Sequence, residues 1–332
     1  MFTVPSSALD YSHGCVGRSR SCCCLLPIMT ASPSQTELPN FLPADAAQLT
    51  EPTSIAIAQQ MQQVEVATEL SYLPVPTTYV CQGTGQPPVL LLHGFDSSLF
   101  EFRRLLPHVA TFRQTWAVDL LGFGFTDRTV TTTFSPAAIK QHLHAFWQQL
   151  IQQPMVLVGA SMGGAAAIDF ALTYPDAVSQ LVLLDSAGLA AGPAMGRLMF
   201  PPLDRWATAF LKNPGVRRRI SQQAYADKSW VTADAELCAA LHLACPHWSE
   251  ALIAFTKSGG YNFLSDRIAD ITSETLIVWG RQDKILGIRD ATRFTELLPQ
   301  ATLSWIDQCG HVPHLEQAAT TAQTIQQFLT AS

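Results

Sequence analysis

Two stretches place reactive residue types at short spacing. The first, "GASMGG" (Gly159 to Gly164), sets Ser161 between glycines two before and two after it, the pattern G-x-S-x-G. The second, "CGHVPHLE", puts Cys309, His311, His314 and Glu316 within eight residues. A serine hydroxyl is a weak nucleophile until a neighbouring base takes its proton. The second stretch offers such a base, a metal site or a polar helix start. A closed zinc site takes three or four ligands, yet Cys309 and His311 stand two apart and no second Cys/His cluster accompanies them. No metal is therefore expected. Cys309 reads as a small apolar residue at a strand end. His314 and Glu316 fall in the first turn of the last helix, where an acid suits the helix dipole.

Around Ser161, "PMVLV" reads as a strand and "AAAIDFAL" as a helix. A serine on such a turn takes strained backbone angles, and its flanks leave no room for side chains. The N-terminus of the following helix then faces any negative charge that develops there. The same grammar recurs along the chain. "PPVLLLHG", "QTWAVDLL", "VSQLVLLD", "SETLIVWG" and "ATLSWID" are short apolar strands, and helical patterns lie between them. Ser135 and Pro136 form an N-cap and first helical position. Apolar strands alternating with helices predict a parallel sheet covered on both faces. Ahead of it, "VEVATELSYLPVPTTYVCQG" predicts an antiparallel pair at a sheet edge. Residues 189–262 break the alternation and read as an inserted helical cap, leaving 56–188 and 263–332 as the core. Residues 1–55, rich in Pro, Ser, Thr and Ala, read as disordered or loosely ordered. Within them, 1–28 read as a start-site artefact, with Met29 as the true start, or as a targeting peptide.

The 332 residues are 48% hydrophobic and 14% charged, enough apolar material for one large core. The net charge of −6 excludes a broad nucleic-acid surface. The one basic run, Arg217 to Arg219, reads as a solvated helix face. No stretch reaches the roughly 18 apolar residues of a membrane span. Cys81, Cys238, Cys245 and Cys309 are scattered and Cys15, Cys22, Cys23 and Cys24 lie near the start, so no disulfide framework is expected. A reducing, cytoplasmic location follows, or an organelle if residues 1–28 are a transit peptide. The sequence carries no signal of an oligomeric state.

With "LLLHGFDSS", "AVDLLGFGFTDR", "LVGASMGG", "LIVWGRQDKI" and "CGHVPHLE" in this order, residues 70–330 resemble the α/β-hydrolase fold, in its branch with a helical cap. The resemblance implies a mostly parallel eight-stranded sheet flanked by helices. It also implies a chain order of nucleophile, acid and base, which assigns Ser161, Asp283 and His311 as a catalytic triad. Asp185, at the end of another strand, is the second choice of acid. Asp119 is expected to order the adjacent Gly-rich loop, and Asp307 to face away. The backbone amides of Met162 and, by resemblance, Phe95 would form the oxyanion hole. His93 would order its own loop, and Asp96 and Ser97 stand where they would line the site. Dehalogenases and epoxide hydrolases of this fold carry aspartate at the place of Ser161, and its proline-releasing peptidases a tryptophan at the place of Met162. Their activities are not expected here.

The implied activity is hydrolysis of an ester-like or activated carbonyl bond of a small to medium, largely apolar substrate, through an acyl-enzyme and without a cofactor. Ser-Met-Gly-Gly also occurs in hydrolases of carbon–carbon bonds in ring-cleavage products and in cofactor-free haloperoxidases and perhydrolases. Some plant proteins of the fold are small-molecule receptors with little turnover. Met195, Met199, Phe200, Trp206, Phe210, Trp230, Trp248 and Phe255 would enclose an apolar substrate, or pack as the interior of the cap. The common family ending "GHxPHxExP" is altered here, with Ala318 in place of the last proline.

Overall fold

The computed structural model describes residues 37–131, 133–189 and 201–331. Eight strands form one sheet in the order β1-β2-β4-β3-β5-β6-β7-β8. They are β1 (Gln62–Val66), β2 (Val75–Gln82), β3 (Val89–Leu92), β4 (Thr115–Val118), β5 (Met155–Ala160), β6 (Val178–Leu184), β7 (Glu274–Gly280) and β8 (Ala301–Ile306). The edge pair β1–β2 is antiparallel, β2 joins β4 antiparallel, and the rest is parallel.

Strand alternation explains why β3 and β5 read as unbroken apolar runs. Leu90, Leu92 and Leu157 enter the core on one face, while Val89, Leu91, Val156 and Val158 enter the other. Helices cover both faces. They are α1 (Pro52–Gln60), α2 (Leu105–Val109), α3 (Pro136–Phe146), α4 (Met162–Thr173), α9 (Arg289–Leu297), α10 (Pro313–Glu316) and α11 (Ala318–Ala331). Ser135 caps α3 by accepting the Ala138 amide at 3.3 Å, and Pro136 follows it in the first turn. Between β6 and β7 lie α5 (Leu203–Lys212), α6 (Pro214–Ala224), α7 (Ala233–Ala240) and α8 (Trp248–Lys257).

The expectation of disorder over residues 1–55 fails from residue 37 onward. Leu42, Ala46, Leu49, Ile57, Ala58 and Met61 are buried in the same core as α2 and α11. Polar contacts fix the segment. Asp234 of α7 accepts the amides of Thr50 (2.5 Å) and Glu51 (2.8 Å) and the Ser54 hydroxyl (2.6 Å). Glu51 takes a two-pronged bond from Arg104 at 2.6 and 2.8 Å. A few apolar residues without clear periodicity are enough once side chains distant in sequence satisfy the backbone. The reading of residues 1–28, and the cysteines there, lie outside the described residues.

Candidate active site

Six loops leave the carboxyl ends of parallel strands on one side of the sheet, where such sheets place their sites. At the end of β5, Ser161 sits at φ 51°, ψ −118°, a region that costs a side-chain-bearing residue about 1–3 kcal/mol. The positions two before and two after it are glycines because the chain crosses itself there. A Cβ on Gly163 would lie 2.1 Å from the Leu92 carbonyl oxygen, and one on Gly159 2.3 Å from that of Gly163.

His311, after β8, is fixed by its own amide, which donates to the Ala224 carbonyl at 2.6 Å. Its Nε2 lies 3.0 Å from Ser161 Oγ and its Nδ1 2.9 Å from Asp283 Oδ2. Asp283, after β7, accepts the Ile285 and Leu286 amides on its other oxygen at 2.7 and 3.1 Å. Burial works to raise its pKa. The bond and charge of His311 and the two amides outweigh that and hold it below the usual carboxylate range. An ionised Asp283 only accepts, so Nδ1 carries the ring proton and Nε2 is left to take the serine's hydrogen.

Asp185, after β6, is fully buried and accepts the Gly280 amide at 3.0 and 3.3 Å. Burial, and next the negative charge of Asp283, raise its pKa well above the usual value. It does not contact His311 by a hydrogen bond. Ligand atoms of Asp185, Asp283 and His311 do lie within 4.8 Å of one another. Both ring nitrogens of His311 are engaged, by Asp283 and Ser161.

The amides of Phe95 and Met162 donate no hydrogen bond within the protein among the described residues. Met162 opens α4, and Phe95 follows Gly94, where an added Cβ would lie 3.4 Å from that of Ser161. His93 orders this loop: Nδ1 meets the Gly94 carbonyl at 2.9 Å and Nε2 accepts the Leu120 amide at 3.1 Å. Burial pushes its pKa down to about 3, so it stays neutral. Asp119 accepts the Leu99 and Phe125 amides at 2.6 and 2.7 Å and orders the next loop. Asp307 points outward to Arg281 at 2.6 Å.

Ser161 and His311 open into a cavity of about 300 Å³, the lower end of the range for small-molecule sites. Its apolar wall comes from Leu211, Ile220, Ala235, Ala239, Ile285 and Val312. Among the described residues, the apolar side chains offered either as an enclosure for substrate or as the packed interior of the cap do not line it. Met195, Met199 and Phe200 lie outside the described residues. Trp206 and Phe210 are exposed, Trp230 lies under Arg104, and Trp248 and Phe255 are core.

Several polar residues differ from expectation. Arg217 is no solvated residue: it bonds Asp96 at 2.7 Å. Glu316 is buried, and instead of serving a helix dipole it accepts the Gly310, Ala226 and Asp227 amides at 2.7, 3.0 and 2.6 Å. It thereby holds the His311 loop against the end of α6. His314 is buried, its pKa pushed down to about 3 by burial, so it carries no charge in neutral solution. Glu101 escaped the sequence reading. It accepts the Gly94 amide at 2.8 Å and lines the cavity. A lone acid inside the apolar run "LFEF" was its only signal.

Three comparisons complete the description. A family model for the alpha/beta hydrolase fold matches residues 87–318. The alpha/beta hydrolase domain-containing protein VTE7 of Arabidopsis thaliana is 31% identical, the match covering 87% of this chain and 90% of that protein. The 2-hydroxy-6-oxo-2,4-heptadienoate hydrolase of Pseudomonas putida is 28% identical over 75% of this chain and 91% of its own length. A variant of the meta-cleavage product hydrolase CumD superposes with a TM-score of 0.66 at 25% identity, covering 81% of this chain and 99% of its own. No helix among the described residues is long and apolar enough to cross a membrane.

Proposed function

Because the chain belongs to the alpha/beta hydrolase fold family, we propose that it is a serine hydrolase cleaving an ester-like or activated carbonyl bond of a small, largely apolar substrate. The observation that carries this reading is the unbroken bond chain Ser161–His311–Asp283, at 3.0 and 2.9 Å, opening into an apolar-walled cavity. His311 Nε2 takes the hydroxyl proton as Ser161 Oγ attacks the carbonyl carbon. Asp283 fixes the ring tautomer and stabilises the imidazolium. The carbonyl oxygen gains negative charge beside the amides of Phe95 and Met162 and the N-terminus of α4. His311 then protonates the leaving group, leaving an acyl-enzyme. Water, deprotonated by the same histidine, releases the acid. The helices between β6 and β7 act as the cap, with α5, α6 and α7 supplying the apolar wall.

A second reading is cleavage of a carbon–carbon bond in a ring-cleavage product, in line with the similarity to a 2-hydroxy-6-oxo-2,4-heptadienoate hydrolase and to the meta-cleavage product hydrolase CumD. One observation favours it. Arg103 lines the cavity and is 2% exposed; its Nε pairs with Glu51 at 3.7 Å, and its Nη2 has no hydrogen-bond partner among the described residues. That guanidinium would meet the carboxylate of a dienoate. Glu101 in the same wall opposes an anion when ionised, which ranks the ester reading first. Burial raises the pKa of Glu101 above the usual carboxylate range and lessens the opposition.

The test is labelling by a fluorophosphonate probe together with turnover of p-nitrophenyl esters of graded chain length and of a chromogenic dienoate. Labelling and turnover are expected in the native chain and absent from Ser161→Ala at unchanged circular dichroism. Ester turnover that survives Ser161→Ala would refute the proposal, and turnover of the dienoate alone would promote the second reading.

A further inference from the structure

The residue after Phe95 is held by the cap. Asp96 is 8% exposed and takes φ 50°, in the left-handed region. Its Oδ1 accepts Trp248 Nε1 at 2.8 Å and contacts His242 Nε2 at 3.2 Å. Its Oδ2 accepts Arg217 Nη1 at 2.7 Å, and its carbonyl oxygen accepts Arg217 Nη2 at 3.4 Å. All three partners come from the helical segment between β6 and β7: α6, the turn Leu241–Ala244 and α8. Arg217 in turn donates to the carbonyls of Ala239 on α7 (2.5 Å) and Leu211 on α5 (3.5 Å), so one guanidinium from α6 touches the two other cavity-lining helices and the loop. The Phe95 ring itself rests between Phe123 (6.0 Å) and Phe255 of α8 (6.1 Å).

A carboxylate engaged in this way is not a free base for substrate. It joins the loop beside the nucleophile to the cap. We infer that Asp96 is a positioning residue that fixes the oxyanion amide of Phe95 to the cap, so that cap packing sets the geometry of the hole. The inference rests on the serine-hydrolase reading, which gives that amide its role. Burial works to raise the pKa of Asp96, but His242 and Arg217 outweigh it and keep the group ionised at neutral pH, the state that three donors require. A hole whose donor moves by about 1 Å loses stabilisation of the charged intermediate but little affinity for the neutral ester.

The test uses the full chain and p-nitrophenyl acetate, a substrate too small to need contacts with the cap. Removal of a whole oxyanion donor costs about 10²–10³ in kcat, so misplacement should cost less: about 10-fold for Trp248→Phe and Arg217→Gln and about 100-fold for Asp96→Ala. KM should stay within about two-fold. The affinity of a trifluoromethyl ketone, whose serine adduct puts a charged oxygen in the hole, should weaken by the same factors as kcat. Arg218→Ala is the control, since this exposed arginine pairs with Glu236 instead; it should change nothing. Should Asp96→Ala fail to fold, Trp248→Phe carries the test, because it keeps the ring and removes one donor. If activity dependent on Ser161 keeps its kcat in Trp248→Phe and Arg217→Gln, or if only KM rises, the inference is overturned while the serine-hydrolase reading stands. Activity that survives Ser161→Ala overturns that reading instead.

Discussion

Asparagine at position 283 would keep the shape of the side chain and change its hydrogen-bonding pattern. In the native arrangement Oδ1 accepts two backbone amides and Oδ2 accepts His311 Nδ1. Asparagine has one acceptor oxygen, and the amides of Ile285 and Leu286 claim it. Its NH₂ then faces Nδ1, which must present a lone pair, so the ring proton moves to Nε2. There it points at Ser161 Oγ, 3.0 Å away, and the histidine can no longer take the serine's hydrogen. A wrong tautomer of this kind lowers kcat by about 10⁴, or about 5.5 kcal/mol of transition-state stabilisation. Asp185→Asn is the matched comparison. Burial and the charge of Asp283 favour the protonated form of Asp185, and an asparagine reproduces the acceptor for Gly280 and a donor in place of the acid proton. Its kcat should fall less than about 10-fold. Steady-state hydrolysis of p-nitrophenyl butyrate at pH 8 measures both, with the fluorophosphonate labelling rate as a second readout. A larger loss in Asp185→Asn, or a loss below about 10-fold in Asp283→Asn, would refute this account of the ring tautomer.

Two further outcomes are expected. Ser161→Gly should abolish turnover and still raise stability by about 1 kcal/mol, because glycine relieves the left-handed backbone; a lower urea midpoint would contradict this. The raised pKa of Asp185 means that the native state binds a proton the unfolded chain gives up. The stability this supplies is complete below the unfolded carboxyl value, near 3.9, and declines as pH rises through the folded value. Asp283, with its depressed pKa, acts in the opposite sense and loses its contribution only as pH falls through its folded value. The urea midpoint of the native chain, relative to Asp185→Asn, should therefore drop as pH is raised from about 4 to about 8. A difference that does not change with pH would be the contrary result.

Steric and chain-order constraints made part of the molecule legible. Gly159 and Gly163 are required by contacts of 2.3 and 2.1 Å with neighbouring carbonyls, so the serine turn is visible in any sequence that makes it. Apolar runs such as "VLLL" declared a sheet covered on both faces because both cores draw on the same strand. Contacts between distant parts of the chain left weaker traces. Arg217 carries the pattern of a surface helix, and its partner Asp96 lies 121 residues away. Glu316 looks like a helix-start acid until the amides of Ala226 and Asp227 are brought to it. Trp248 reads as apolar bulk, but its indole N–H is its most specific contact. Trp248 and Phe255 pack in the core, the alternative their composition also allowed, and part of the wall comes from small residues of α7, Ala235 and Ala239, which carry no signal of a wall.

The bonds from Thr50, Glu51 and Ser54 to Asp234 reach further than the stability of the first helix. Asp234 adjoins Ala235 in the cavity wall, so the chain's early residues steady one side of the chamber from outside it. A substitution at position 50 or 54, far from Ser161, is expected to reach the chamber through α7. A stretch that contributes no strand to the sheet and no side chain to the cavity wall is thus tied to that wall through α7.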